Sequence, residues 1–164
     1  MTIQEFNKTV DLYSDNLFRF FVKNISDREA SQDLVQESFT KMWAKVRDVE
    51  FAKSKSYLFT VGYHTMIDHI RAKKRRDNYL ALQDAEKYEE RDYDLKDALD
   101  HALNQLPQIQ KSVVLLRDYE GYSYEEIGQL ANLSESQVKV YLFRARKTLK
   151  DKLLLNKNKF PAVR

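Results

Sequence analysis

Apolar residues recur three and four positions apart along most of this chain, the pattern of helices that bury one stripe. From Thr2 to Lys23 the stripe is Phe6, Val10, Tyr13, Leu17, Phe18 and Phe21. Ser26-Asp-Arg-Glu29 has the form of a capping box. It predicts a second helix to about Val46, with Ala30, Leu34, Phe39, Met42, Trp43 and Val46 inward. The other side of that helix carries Asp33, Gln36, Glu37, Thr40 and Lys41. Asp48 to Lys55 has no period and reads as a loop. A third helix from about Ser56 sets Leu58, Val61, Thr65, Met66 and Ile70 on one side and ends in the basic block Arg71-Ala-Lys-Lys-Arg-Arg76. Helices this short are marginal alone, so the three are expected to bundle by burying their stripes together.

The period fades from Asp77 to Asp94, where charges crowd and aliphatics thin out, and this stretch reads as a flexible acidic linker. Fully extended it reaches at most ~60 Å, the rise of roughly 18 base pairs at ~3.4 Å each. Periodicity then returns. Leu95, Ala98, Leu99, Ala102, Leu103 and Leu106 form a stripe stopped by Pro107. Ile109 to Tyr119 follows, with Val113, Val114, Leu116 and Tyr119 inward and Gly121 placed as its C-terminal stop. Ser123 with Glu126, and Ser134 with Gln137, are two further capping boxes separated by a bend at Ala131-Asn132-Leu133. Two capped helices so closely joined fit a helix-turn-helix, whose second helix enters the DNA major groove. Val138, Leu142, Leu149 and Leu153 would bury that second helix.

The expected fold is therefore all-α: two small helical bundles joined by a flexible linker, the C-terminal one containing the helix-turn-helix. Its divisions fall at 1–76, 77–94 and 95–155, with a tail at 156–164. Composition supports a helical chain: three Gly and two Pro in 164 residues leave little material for hairpins. With no Cys, disulfides and thiolate metal sites are excluded. No signal peptide and no apolar run of the ~20 residues needed to span a bilayer are apparent, so a cytoplasmic location is expected. The net charge of +3 is unevenly spread. One basic cluster lies at Arg71 to Arg76 and another from Lys139 to Lys152, with an acidic stretch between, which suggests two contacts with a polyanion.

Three stretches, in order, carry a resemblance. They are Asp33-Leu-Val-Gln-Glu-Ser-Phe39 with Trp43, Tyr57 to Arg71 (YLFTVGYHTMIDHIR), and the helix-turn-helix preceded by Leu106-Pro107. Together the chain resembles the extracytoplasmic-function sigma factors of bacterial RNA polymerase. The resemblance implies that Asp33, Gln36, Glu37, Thr40 and Lys41 dock on the clamp helices of the polymerase, with Trp43 in the core. It implies that 57–76 opens and reads the −10 element, with Val49 to Lys55 helping to hold a flipped base. Tyr57, Tyr63 and His64 would stack on bases, and Arg71, Lys73, Lys74, Arg75 and Arg76 would meet the backbone, with Asp68 in the same segment. Tyr57 and Tyr63 fit a core position equally well. Here Tyr57 stands where the family usually has Trp, His64 where Asn is usual, and Gly128 where Ala is usual.

For the −35 element the resemblance points to the early recognition helix: Glu135, Ser136, Gln137, Lys139, Val140, Tyr141, Arg144 and Arg146. Gln can pair with adenine, Arg or Lys with guanine, and Val can touch a thymine methyl. The implied partners are core polymerase, promoter DNA and an anti-sigma factor, often membrane-anchored in this family. No enzymatic activity, cofactor or metal is expected. Two rivals remain at this point. A stand-alone helix-turn-helix regulator leaves Asp33 to Glu37 and the separate basic block unexplained. A metal-dependent hydrolase using His64 and Asp68 lacks a third ligand and leaves the C-terminal bundle unexplained; His69 and His101 sit alone in helical patterns.

Overall fold

The structure, a computed structural model, describes residues 1–80 and 95–157. Among these residues seven α helices form and no strand. The chain divides into two compact units, with the break inside the acidic stretch.

In the first unit, α1 (Ile3–Ile25), α2 (Arg28–Ala44) and α3 (Ser54–Leu80) pack as a bundle. Helix α1 opens at a capping box absent from the sequence reading. The Glu5 N–H donates to Thr2 Oγ1 at 3.1 Å and the Thr2 N–H donates to Glu5 Oε2 at 2.8 Å. It runs through Ile25 and stops on Ser26, left-handed at φ 54, whose N–H donates to Val22 O at 2.8 Å. That consumes Ser26. The expected box with Glu29 therefore does not form, and Asp27 caps α2 instead, its Oδ1 accepting from the Ala30 N–H at 3.0 Å.

Leu17, Phe20 and Phe21 from α1, Leu34 and Met42 from α2, and Leu58, Phe59 and Met66 from α3 form this core. Each such side chain, fully buried, contributes roughly 1.5–3 kcal/mol. The helices pack tightly at Gly62, where an added Cβ would lie 2.9 Å from Leu17 Cδ1 and 3.1 Å from Phe21 Cζ. Buried hydroxyls turn inward on their own helices: Ser38 donates to Leu34 O at 2.6 Å and Thr65 to Val61 O at 2.8 Å. The expected loop at 48–55 is two 3₁₀ turns, Val46–Asp48 and Phe51–Lys53, flanking buried Val49. A larger difference lies at the far end of α3, which continues to Leu80 rather than stopping at Arg76. Asp77-Asn-Tyr-Leu80 holds no Gly or Pro to end it, so charge alone does not break the helix. The remainder of the expected linker, 81–94, and the end of the tail, 158–164, lie outside the described residues.

The second unit is built from α4 (Leu95–Asn104), α5 (Gln108–Val114), α6 (Tyr124–Ala131) and α7 (Glu135–Lys157). Ala98, Leu103, Leu106, Val113, Val114, Ile127, Leu130, Val138 and Leu142 fill its core, with Ala145 added where the sequence reading had passed it over. Leu149 and Leu153 are half-buried. Helix α5 closes through a π-helical turn, Leu115–Tyr119, in which the Glu120 N–H reaches back to Leu115 O at 3.2 Å. The wider turn shifts the register, so Tyr119, expected inward, is 47% exposed while Tyr122 is buried. Gly121 at φ +73 ends the segment as expected.

Candidate polymerase and nucleic-acid interfaces

On α2 the residues Asp33, Gln36, Glu37, Thr40 and Lys41 are all exposed, opposite buried Leu34, Ser38 and Phe39. Lys41 is not a loose cation. Its Nζ pairs with Glu37 at 2.9 Å and donates to Thr65 Oγ1 on α3 at 3.0 Å, tying the two helices together. Thr40 donates to Gln36 O at 2.8 Å. Asp33 and Gln36 are thus the exposed side chains of this strip outside that pairing, with Glu37 held beside them by Lys41. Trp43, expected in the core, is 46% exposed and rests edge-on against Phe6 with centroids 4.9 Å apart.

Along α3 the structure sorts the expected −10 residues. Tyr63 is 5% exposed, and burial raises its phenol pKa above the ordinary 10.0, an effect that Arg71 partly offsets. A ring so enclosed has no face to offer a base, so Tyr63 is a core residue. Tyr57 is half-buried. His64 and Asp68 are exposed, the imidazole edge-on to Tyr63 with centroids 5.4 Å apart. Arg71, Lys73, Lys74, Arg75 and Arg76 all face solvent. Asp68, Arg71, Lys74, Arg75 and Asn78 line one open groove on this helix. Beside the start of α3, Phe51 lies under the Lys8 ammonium at 5.5 Å and Lys53 pairs with Glu50 at 3.2 Å. Among the described residues no group of His, Asp or Glu side chains converges as a metal site would require.

In the second unit the reading helix is set by its caps. The Glu126 N–H donates to Ser123 Oγ and the Ser123 N–H to Glu126 Oε2, at 3.1 and 2.7 Å. Helix α6 ends on left-handed Asn132 (φ 57), and the Leu133 N–H donates to Gly128 O at 2.8 Å. A Cβ at residue 128 would lie 2.7 Å from Leu133 O, so glycine admits a turn this tight. The Gln137 N–H then donates to Ser134 Oγ at 3.1 Å and the Ser134 N–H to Gln137 Oε1 at 2.9 Å. Gln137 is thereby engaged in the cap. Its amide oxygen, the acceptor of a bidentate adenine contact, already takes one hydrogen bond within the cap.

Val138, Leu142 and Ala145 turn inward, which aims Ser136, Val140, Phe143 and Lys147 to the opposite side of α7. Phe143, 69% exposed, was not among the expected contacts. Its signal was present in the sequence, since it falls outside the buried 138–142–145 stripe. Glu135 and Lys139 are exposed and paired at 3.4 Å, with the ammonium also 5.8 Å from the Tyr124 ring. Arg144 is exposed and Tyr141 half-buried. Arg146 differs from expectation. Its Nε donates to Asp118 Oδ2 at 3.1 Å and its second nitrogen to Oδ1, and that hydrogen-bonded pair raises its pKa. It braces the π turn against α7, so this guanidinium is already engaged within the unit. Arg117, also missed, donates to Tyr122 O at 2.9 Å and lies 4.9 Å from the Tyr124 ring, fixing the entry to α6.

Residues 9–76 match the family model for Sigma-70 region 2, and residues 96–149 match that for Sigma-70, region 4. The chain is 28% identical over 156 residues to the ECF RNA polymerase sigma factor SigM of Bacillus subtilis, covering 92% of this chain and 94% of that one. It is 27% identical over 167 residues to the RNA polymerase sigma-H factor of Pseudomonas aeruginosa, covering 91% and 86%. Among solved structures it resembles the sigma factor RpoE in complex with the anti-sigma factor NepR from Bartonella quintana. That match has a TM-score of 0.80 and 25% identity, over 94% of this chain and 99% of that one. No described helix is long and apolar enough to cross a membrane. Two sigma regions in order, each on its own helical unit, place the chain in the extracytoplasmic-function family of RNA polymerase sigma factors.

Proposed function

We propose that the chain acts in the cytoplasm, binding core RNA polymerase through α2 and directing it to a subset of promoters with no covalent chemistry of its own. In this reading Asp33, Gln36 and Glu37 orient docking on a basic coiled coil, with Lys41 holding the strip in place. Charged rim pairs of this kind steer association more than they strengthen it. The first unit, 1–76 and the added turn of α3, handles the −10 element: His64 and Tyr57 meet unpaired bases, and Arg71 to Arg76 meet phosphates. In the second unit Ser136, Lys139, Val140 and Arg144 read the −35 element. Phe143 and Val140 form an apolar ridge suited to thymine methyls. An anti-sigma factor is the natural restraint, since RpoE of Bartonella quintana is held by one.

The observation that carries this reading is the separation of two exposed basic surfaces onto two units, with an acidic strip on the first. A stand-alone regulator needs only the second surface. Transcription in vitro with core polymerase, this protein and genomic DNA tests it: promoter-specific transcripts are expected, and DNA binding without transcripts would overturn it. In the same system, reversing charge at Asp33 and Glu37 is expected to impair capture of core polymerase while circular dichroism stays unchanged. Normal capture would remove α2 from the interface.

A further inference from the structure

The last turn of α3 was assigned by sequence to a linker, yet it is helical, and it ends in an aromatic ring that is 86% exposed, that of Tyr79. At ~100° per residue, Arg71, Arg75 and Tyr79 fall on one face, with Lys74 and Asn78 beside them. Arg71, Lys74, Arg75 and Asn78 line the open groove already described, so the ring stands at the end of a cationic track. From Arg71 to Tyr79 the helix rises about 12 Å at ~1.5 Å per residue. That matches three to four nucleotides of one strand at ~3.4 Å each. Cations that follow a backbone and an aromatic face at the end of their row are the two parts of a single-strand site. Among the described residues nothing in the packing of the bundle calls for a tyrosine there, because the buried core contributed by α3 ends at Met66.

We propose that Tyr79 is a stacking platform for an unpaired base of the opened promoter strand, placed next to phosphates held by Arg71 and Arg75. The proposal rests on the −10 reading of α3 and extends that surface by one helical turn. The occupant is single-stranded DNA. Five cations in the preceding turns, Arg71, Lys73, Lys74, Arg75 and Arg76, favour a polyanion, and an exposed ring gains most from a base that has lost its own stacking partner.

The test uses the full-length protein with core polymerase. The DNA is a promoter fragment on which the unaltered protein makes a specific transcript, either fully duplex or pre-opened over the −10 region. Tyr79→Ala is expected to weaken binding to the pre-opened fragment about 5- to 150-fold. It should leave duplex affinity and the thermal melt unchanged, and Tyr79→Trp should retain tight binding. The double variant Arg71→Ala with Arg75→Ala should weaken binding at low salt and reduce the salt slope by about 2. Unchanged Tyr79→Ala affinity beside a weakened double variant overturns the stacking role and leaves the −10 reading standing. If the double variant also binds as before, the −10 reading fails and the proposal with it. Tighter binding by Tyr79→Ala would mean that the chain's own acidic stretch covers the ring, and would equally overturn the proposal.

Discussion

The two units hold their candidate surfaces in different ways. In the second, local devices aim the reading helix: two reciprocal capping boxes, a left-handed Asn132, and a glycine where a Cβ would meet Leu133 O at 2.7 Å. Each lies within a few residues of the surface it orients. In the first, the α2 strip and the α3 track are aimed by the packing of three long helices around Leu17, Phe21 and Met66. The cap that starts α2 only marks where it begins. One surface is set by turns, the other by a core, and damage should spread accordingly.

The largest expected effect follows directly. Phe21→Ala empties a fully buried ring position beside Gly62 and should cost about 3–5 kcal/mol. Calorimetry should show a lowered transition for the first unit and an unaltered one for the second. A common shift of both would mean that the units unfold together and the contrast is false.

Next come the base contacts. Lys139→Ala or Arg144→Ala should weaken promoter binding by ~1–3 kcal/mol if each meets a base edge. Arg146→Ala should change promoter affinity little, because that guanidinium already serves Asp118. Its loss removes a surface pair, worth about 0.2–1 kcal/mol of stability. Measured affinities for the three variants on one promoter would separate readers from strut, and equal losses would return Arg146 to the DNA face.

These contrasts also explain what could be read from the chain. The caps at Ser123 and Ser134, the stop at Gly121 and the stripe at Val138 and Leu142 depend on residues within a turn of one another, so the sequence displays them. Ser26 misled for an equally local reason: α1 ran two residues farther, to Ile25, and took it as a left-handed terminus, leaving Asp27 to cap α2. Tyr63 and Trp43 were harder. Their exposure depends on where neighbouring helices lie across the bundle, which no spacing along one helix states. Arg146 found a partner 28 positions away, beyond any local window. The π turn moved Tyr119 outward because an added residue in one turn changes the register that the stripe assumes. At α3 the opposite fault occurred, with a charged run taken as a terminus where the backbone had no reason to stop.

A smaller effect separates capping from reading at the entrance to α7. Ser134→Ala should cost about 0.5–2 kcal/mol of stability in the second unit. Gln137→Ala removes the return half of the same box, so it too should act on stability. Promoter preference should survive in both, since Gln137 Oε1 already accepts from the Ser134 N–H. A systematic promoter selection with Gln137→Ala that loses discrimination at one adenine would show that the box opens on DNA.

The smallest effect distinguishes the units by pH. Tyr63, buried in the first, has a folded pKa raised above 10.0, chiefly by desolvation. The unfolded chain therefore gives up this proton first, and the stabilisation associated with it is complete below pH 10 and is lost as pH climbs through the folded value. Lys111 in the second unit behaves oppositely. Burial lowers its pKa below 10.5, so between the folded value and 10.5 the unfolded chain holds the extra proton and folding gains as pH rises. Tyr119, raised by partial burial and by Asp100 and Asp118, works against that gain above pH 10. Tyr63→Phe should therefore blunt the alkaline fall in the first unit's melting temperature and leave the second unit's profile as it was. Melting curves from pH 8 to 11 would decide it. If Tyr63→Phe leaves the first unit's alkaline fall as steep as before, the ring is wetter than its burial implies and returns as a candidate for base contact.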